Sequence, residues 1–266
     1  MTQDRRKIRI YWFSGTGNTL WAAKIFSREI SKLGHEVEMI SLPCPVPDSI
    51  PEDITIGFFF PVYGQTIPVF IDDWLRKLPA SLSGNPVFTM TTLAGMSGLI
   101  KGPMYSMLKR KGYRPIAIKE LIMPCNYIRP DSNPEKIRKI LDKAEPEIAR
   151  FAKNLFRWEN TWPWRPGILN FIKFWSVKID KRLFPWIGKK FFADKSKCTK
   201  CGLCIKLCPV GNISTDEDKL PKWSDNCQQC LRCINYCPSA AIDNKRMRFL
   251  FHPAYRCPGI KPSEFV

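Results

Sequence analysis

Histidine is scarce in this sequence of 266 residues. The two histidines, His35 and His252, belong to no recognisable catalytic pairing, and we expect His35 simply to begin a strand. No Ser-His-Asp or Cys-His arrangement can be assembled around them, which argues against nucleophilic catalysis by side chains. Any chemistry is therefore expected to belong to bound cofactors.

The sequence also lacks a long apolar run. Its longest uncharged window, residues 54–71, has about the length of a membrane span, but it contains Pro61, Gly64 and Pro68. These residues instead predict a strand, a loop and the start of a helix. The N-terminus shows no basic and then apolar segment with a small-residue cleavage site, so we expect a cytoplasmic protein.

Acidic residues are the third shortage. The chain has 42 Lys+Arg and 24 Asp+Glu, which gives a formal net charge of +18. The excess is densest in residues 151–194, which hold 9 basic and 3 acidic side chains. A basic balance is compatible with nucleic acid, anionic lipid or an acidic protein as a partner, and the count alone does not choose among them.

Cysteine, in contrast, is abundant, and eight of the 11 cysteines form two runs with the pattern C-x2-C-x2-C-x3-C-P. The first run is Cys198, Cys201, Cys204 and Cys208, and the second is Cys227, Cys230, Cys233 and Cys237. The second run lies 29 residues after the first at all four positions, and Ile213 and Ile242 correspond at the same offset. This internal repeat predicts a module with pseudo-twofold symmetry.

The spacing is typical of two iron–sulfur clusters. Three thiolates on a tight loop bind one cubane, while the fourth cysteine, set apart and followed by proline, binds the other. We therefore assign one [4Fe–4S] cluster to Cys198, Cys201, Cys204 and Cys237, and the second to Cys227, Cys230, Cys233 and Cys208. Zinc and disulfide bonds are the alternatives, but zinc sites usually have longer spacers and disulfides need an oxidising compartment. Residues 195–245 resemble the bacterial two-cluster ferredoxins.

A second motif lies near the N-terminus. Residues 7–13 predict a buried strand, the turn Ser14-Gly15-Thr16-Gly17-Asn18-Thr19 follows, and residues 20–33 have helical periodicity. Such a turn favours a phosphate, because its backbone N–H groups and the helix N-terminus attract an anion. It lacks the Gly-Lys-Ser/Thr ending of a P-loop and the third glycine of a dinucleotide site, so a terminal monophosphate fits best. An ordinary strand-to-helix turn is the alternative.

The rest of the first 150 residues predicts a doubly wound parallel sheet. Further strands are predicted at 35–42, 54–60, 86–92 and 113–123, and helices at 68–78, at 98–111 and from 134 to about 158. Ligand loops of such a sheet lie at the carboxyl ends of its strands. Those loops contain Pro61, Val62, Tyr63 and Gly64, then Thr92, Leu93, Ala94 and Gly95, and then Asn126 and Tyr127. A monophosphate loop beside loops that can enclose a planar ring indicates FMN.

This half resembles the flavodoxins, and the whole chain resembles a family of flavodoxin–ferredoxin fusions of anaerobic bacteria and archaea. The resemblance implies an FMN phosphate site made by Ser14, Thr16, Gly17, Asn18 and Thr19. It also implies that Tyr63 lies against the isoalloxazine, that residues 92–95 line its pyrimidine edge, and that Asn126 and Tyr127 contact the flavin. Simple flavodoxins and ferredoxins are usually acidic, whereas both halves here are basic, which favours an acidic redox partner.

The expected organisation is a flavodoxin-like domain with a five-stranded α/β sheet at 1–150, a helical connector at 151–194 and a small α+β ferredoxin domain at 195–266. The connector is rich in aromatic and basic residues. Its apolar residues recur at helical spacing, at Ile168, Phe171, Ile172, Trp175, Ile179 and Leu183. We interpret this stripe as packing between the domains, with peripheral membrane contact through 160–192 as the alternative. Basic and aromatic content alone is weak evidence for nucleic acid.

The functional expectation is an iron–sulfur flavoprotein of electron transfer. Single electrons would pass from an acidic low-potential donor, such as a ferredoxin, through both clusters to FMN. FMN would then reduce a small molecule, such as an enoate, quinone or nitro compound, or a partner protein. The alternatives are a pure relay with no substrate of its own and, more distantly, a metal-stapled nucleic-acid-binding protein. No nicotinamide-binding motif is visible, so direct oxidation of NAD(P)H is not expected.

Overall fold

The computed structural model describes residues 5–95, 100–127, 130–157, 162, 187–245 and 254–265. Its N-terminal part contains a five-stranded parallel sheet with the order β2-β1-β3-β4-β5. The strands are β1 (Lys7–Trp12), β2 (Glu36–Ser41), β3 (Ile54–Pro61), β4 (Pro86–Leu93) and β5 (Arg114–Ile122). The helices are α1 (Asn18–Lys32), α2 (Val69–Lys77), α3 (Lys101–Arg110) and α4 (Pro134–Asn154). This strand order is the flavodoxin-like one, and the predicted fold class is confirmed.

Each strand and helix predicted for this part is present, with bounds that differ by a few residues. The largest difference is at α4, which ends at Asn154 and not near 158. The helix predicted from 98 begins at Lys101, and residues 96–99 lie outside the described residues. Apolar periodicity therefore predicted the type and order of these elements well.

The sheet has an apolar core on both of its faces. Every residue of the central strand β3 is buried, which is why its sequence reads as one apolar run and not as an alternation. On one face α1 and α4 contribute Phe26 and Ile148, and on the other α2 and α3 contribute Trp74 and Met104. This two-sided packing fixes the carboxyl ends of the strands, where the ligand loops lie.

The C-terminal part contains two small antiparallel sheets and two short helices. Strand β6 (Phe191–Ala193) pairs with β9 (Ile242–Asn244), and β7 (Ile213–Thr215) pairs with β8 (Pro221–Trp223). The helices are α5 (Leu203–Lys206) and α6 (Arg232–Asn235). Positive φ angles recur at the 29-residue offset, at Lys200 and Gln229, Gly202 and Leu231, and Gly211 and Ala240. The two halves thus repeat a backbone conformation as well as a sequence pattern.

Residues 254–265 return to the N-terminal part and pack against the turn that precedes α1. The backbone N–H of Cys257 donates to the carbonyl of Thr16 at 2.9 Å, and the Tyr255 hydroxyl donates to Asn18 Oδ1 at 2.7 Å. Phe265, in a short 3-10 helix, joins the apolar core on the α1 side of the sheet. The first and last segments of the chain therefore share one core.

Most of the predicted connector cannot be placed, since residues 158–161 and 163–186 lie outside the described residues. The predicted stripe from Ile168 to Leu183 falls there, and the domain bounds at 150 and 194 stay predictions. Trp162 is described: it is buried, and its Nε1 donates to the carbonyl of Lys101 at 3.0 Å. Among the described helices, none combines the length and apolar character that crossing a bilayer requires.

Asn85 lies just before β4 and links this strand to the start of β3. Replacing it tests how much these hydrogen bonds stabilise the sheet. Its side chain is 1% exposed, and Nδ2 donates to the carbonyls of Pro51 and Ile54 at 2.8 and 3.0 Å. Asn85→Ala removes these hydrogen bonds, including the buried one to Ile54, so we expect a loss of about 1–3 kcal/mol in the free energy of unfolding. The half-buried Asn154 makes one hydrogen bond, and Asn154→Ala is the control. Urea denaturation measures both, and equal losses would contradict the prediction.

Candidate functional site

The turn between β1 and α1 has the conformation expected of an anion site. Gly17 precedes α1 with a φ of 104°, and its N–H donates to Ser14 Oγ at 3.1 Å. No side chain caps the first turn of α1, so its N–H groups stay available to a ligand. Ser14, Thr16 and Thr19 are each 1% exposed. An anion bound here would lie largely out of bulk water, at the positive end of a 15-residue helix.

Several side chains of this turn already have protein partners. Thr19 Oγ1 lies 2.7 Å from Thr92 Oγ1, and Asn126 Nδ2 donates to Thr16 Oγ1 at 2.7 Å. Asn18 donates to the carbonyl of Pro124 at 2.9 Å and accepts from Tyr255. The amide of Asn18 is therefore used within the protein, which leaves backbone N–H groups as the main donors for a phosphate.

A cavity of about 430 Å³ opens beside this turn. Thirteen of the 15 residues predicted to bind FMN line it, namely Ser14, Thr16, Asn18, Thr19, Pro61, Val62, Tyr63, Gly64, Thr92, Leu93, Ala94, Asn126 and Tyr127. Gly17 and Gly95 do not line it: Gly17 packs towards Cys257, and Gly95 lies in open space. The volume is in the range of small-molecule and cofactor pockets, with hydroxyls at one end and tyrosines at the other. These residues fit FMN.

Six further residues line this cavity without having been predicted, namely Gly15, Pro124, Cys125, Ile187, Gln229 and Leu231. The last three come from the C-terminal part, and Gln229 and Leu231 flank Cys230 in the second cysteine run. Local sequence contains no signal for this contact, since it depends on how the two parts pack. The cavity is therefore built by both halves of the chain.

The eight cysteines of the two runs surround two separate small cavities. The first, here called the distal cluster site, is lined by Cys198, Cys201, Cys204 and Cys237. The second, the proximal cluster site, is lined by Cys208, Cys227, Cys230 and Cys233. In each set the fourth cysteine comes from the other run, as the sequence analysis assigns. The described residues include no three Cys, His, Asp or Glu side chains arranged to hold a single metal ion. In a cubane each thiolate binds a different iron, so its ligands need not converge on one point.

The two cluster sites differ in their exposure to solvent. In the distal site Cys201 is exposed, whereas in the proximal site Cys233 is buried. Burial raises the pKa of Cys227 to about 12 and that of Cys204 to about 11. A bound metal deprotonates such thiols, so these cysteine sets suit a cationic metal–sulfur group that supplies the missing charge.

Arg232 joins the proximal cluster site to the anion-binding turn. It is 3% exposed, and its Nε donates to the carbonyl of Ser14 at 2.9 Å. Its guanidinium lies 4.7 Å from the ring centroid of Phe13 and 4.6 Å from that of Phe265. Burial lowers the pKa of Arg232, and nearby Cys230 opposes that shift. Arginine stays charged in proteins, so a buried cation lies at this junction.

Gly15 lies where the backbones of the two parts approach each other closely. A Cβ atom added there would collide with the carbonyl of Cys230 and with the hydroxyl of Tyr63. Tyr63 thus lines the cavity, while its hydroxyl is buried beside the proximal cluster site and has no hydrogen-bond partner among the described residues. The sequence analysis placed Tyr63 against a flavin ring but did not anticipate its contact with Cys230.

Two of the three cysteines outside the two runs, Cys44 and Cys257, are packed against apolar neighbours. Cys257 is 1% exposed, and burial raises the pKa of its thiol to about 12. Burial likewise raises the pKa of Cys44. His35 is buried just before β2, where its Nδ1 accepts from the backbone N–H of Arg6 at 3.2 Å.

Comparisons with known proteins find matches for both parts of the chain. Residues 190–244 match the family described as "4Fe-4S dicluster domain". No curated protein sequence matches the chain significantly. Two of the similar solved structures are flavodoxins, from Streptococcus pneumoniae TIGR4 (16% identity, TM-score 0.41, 57% of this chain, 98% of that chain) and Megasphaera elsdenii (19%, 0.39, 55%, 98%). Another is the NAD(P)H:quinone oxidoreductase from Methanothermobacter marburgensis (10%, 0.41, 57%, 99%).

At these scores the fold assignment rests on the strand order and not on the overall likeness. The strand order places a flavodoxin-like sheet in the N-terminal part, and the family match places the iron–sulfur module at residues 190–244. The chain thus combines a flavodoxin-like sheet with a segment that matches the dicluster family.

Proposed function

We propose that the protein is an iron–sulfur flavoprotein of electron transfer, with FMN in the large cavity and one [4Fe–4S] cluster in each cysteine site. The observation that carries the proposal is the shared wall between the cavity and the proximal cluster site. Gln229 and Leu231 line the cavity, and Cys230 between them lines the cluster site. If the flavin and the clusters acted independently of each other, their sites would not need to share this wall.

The turn before α1 would hold the phosphate through its backbone N–H groups and the Ser14 and Thr16 hydroxyls. Tyr63 and Tyr127 would flank the ring, and Ile187 and Leu231 would exclude water from the C-terminal side. FMN accepts one or two electrons, whereas a [4Fe–4S] cluster carries one, so the pair can convert single-electron supply into two-electron chemistry. The protein's part is to hold the groups close together and to keep water away from the contact.

The order of the sites supports inward electron flow. The exposed Cys201 makes the distal site accessible to a partner, whereas the proximal site lies against the cavity. An acidic low-potential donor, such as a ferredoxin, suits a chain of net charge +18. From the cavity, electrons would reach a small molecule or a partner protein. The alternative is a pure electron relay with no substrate of its own. Testing whether the reduced protein transfers electrons to small acceptors distinguishes a reductase from a relay.

Cofactor content is the first test. Protein purified without oxygen should contain about eight irons, about eight sulfides and about one FMN per chain. Iron and sulfide assays, with chromatography of the released flavin, measure these values. Eight irons without flavin would refute the flavin half of the proposal, and zinc in place of iron would refute the redox role.

The phosphate site predicts a preference between two flavins. FMN should bind the apoprotein at least about a hundredfold more tightly than riboflavin, because the buried N–H and hydroxyl donors contribute only when a phosphate is present. Quenching of flavin fluorescence gives both dissociation constants. Equal affinities would show that the turn before α1 does not bind the phosphate.

Substitution of Gly15 tests whether FMN binding depends on the close approach of the two parts of the chain. Gly15→Ala forces the turn away from Cys230 and Tyr63, so we expect about ten- to hundredfold weaker FMN binding, the equivalent of about 1–3 kcal/mol of overpacking. Leu82→Ala is the control, because this side chain is 95% exposed and lines neither the cavity nor a cluster site. The same fluorescence titration compares the variants. If both bind FMN as the natural sequence does, Gly15 does not limit the approach.

A further inference from the structure

Three buried hydrogen-bond donors around the proximal cluster site have no partner among the described residues. They are the Trp223 indole N–H, one guanidinium nitrogen of Arg232 and the Tyr63 hydroxyl. Buried donors are almost always paired in folded proteins, because an unpaired one loses its hydration without compensation. Three at one place indicate an acceptor that belongs there.

The positions of these donors identify the acceptor. Trp223 and Arg232 line the same cavity as the four proximal cysteines. The Trp223 N–H also lies close enough to Cys233 to oppose the rise that burial causes in the pKa of that thiol. Tyr63 places its hydroxyl beside Cys230 from the flavin side. The sulfur atoms of a cluster would supply acceptors for all three.

The distal cluster site lacks the equivalents of these groups. At the 29-residue offset, Arg232 corresponds to Leu203 and Trp223 corresponds to Asp194. The Asp194 carboxylate accepts from Ser196 and lies 3.8 Å from Lys197. Among the described residues, the cations beside the distal site are Lys200, Lys219 and Arg256, which are all exposed and therefore solvated and screened. The distal site therefore has the apolar Leu203 where the proximal site has the buried cation of Arg232. It has the acidic Asp194 where the proximal site has the neutral donor of Trp223.

This asymmetry affects the two clusters differently. Reduction adds one negative charge to a cluster, and hydrogen bonds to its sulfurs and nearby positive charge stabilise the reduced form. Both effects are stronger in a buried site, where the effective dielectric constant is low. Burial alone would disfavour the added charge at the proximal site, so its donors and its cation act against that cost.

We propose that Tyr63, Trp223 and Arg232 raise the reduction potential of the proximal cluster above that of the distal cluster. The proposal rests on the proposed function and adds a direction to it. One electron from a low-potential donor reduces the distal cluster, which is reoxidised as the proximal cluster is reduced. The higher reduction potential of the proximal cluster keeps that electron on the side of the flavin cavity.

The test is a redox titration of the intact holoprotein, followed by electron paramagnetic resonance. We expect two cluster potentials, and Trp223→Phe should lower the higher one while leaving the other unchanged. The expected effect is at least a threefold change in the ratio of reduced to oxidised cluster at fixed potential. Arg232→Gln should lower the same potential further, by at least tenfold in that ratio, or about 59 mV for one electron.

Two controls and one reciprocal variant complete the design. Trp74→Phe and Tyr113→Phe remove donors that bond to the carbonyls of Cys44 and Pro79, away from both cluster sites, and should move neither potential. Leu203→Arg, on the half-buried counterpart position, should raise the lower potential and so identify it as that of the distal cluster.

The outcomes separate this inference from the proposed function. If the protein holds eight irons and FMN but Trp223→Phe and Tyr63→Phe leave both potentials unchanged, the inference is overturned and the proposed function stands. Equal potentials in the natural sequence would also overturn it. Because Arg232→Gln removes a contact between the two parts and could impair folding, the two conservative variants decide the question. Protein without iron and flavin would refute both proposals.

Discussion

The buried guanidinium of Arg232 is the contact on which the joint between the two halves depends. Moving a charged group out of water is costly unless polar or charged groups compensate it. Here Nε of Arg232 donates a hydrogen bond to the carbonyl of Ser14, and the rings of Phe13 and Phe265 both lie close to the guanidinium. Ser14 belongs to the anion-binding turn, Phe13 follows β1 and Phe265 lies in the C-terminal 3-10 helix, so one side chain contacts segments that are distant in sequence.

Backbone packing completes this joint. Gly15 and Gly17 look from sequence like residues that close a turn around a phosphate, yet both are also required by the packing against the C-terminal part. A Cβ on Gly15 would meet Cys230, and one on Gly17 would meet Cys257. Gly188 behaves in the same way against Cys227. Because these positions have no side chains, the two parts can approach closely. The cavity and the proximal cluster site can therefore share one wall.

Sequence predicted the parts of this protein better than their assembly. The type and succession of the strands and helices follow from apolar runs and helical periodicity, and their alternation indicates a doubly wound parallel sheet. The flavodoxin-like arrangement of its strands was implied by the family resemblance. The cysteine partition follows from spacing alone, and the structure gathers the cysteines in the predicted sets. Two of the predicted flavin contacts, Gly17 and Gly95, do not line the cavity, and Gly17 packs against the C-terminal segment instead.

What sequence missed lies between the domains. Ile187, Gln229 and Leu231 carry no local pattern that marks them as cavity residues, and the second role of Tyr63 needs the position of Cys230. The contacts of residues 254–265 are equally non-local, because their partners are set by packing and not by periodicity. Asn18 stays a predicted phosphate contact, but its side-chain amide bonds to Tyr255 and Pro124, which the sequence did not indicate.

The hydrogen bond between Tyr255 and Asn18 joins residues 237 positions apart. During synthesis the anion-binding turn leaves the ribosome early, long before the segment that backs it exists. The cavity therefore reaches its final form only after the C-terminal part has been made, and the sheet alone would present an incomplete pocket. On the proposed function, full binding of the flavin would then have to follow the folding of the cysteine module against the sheet.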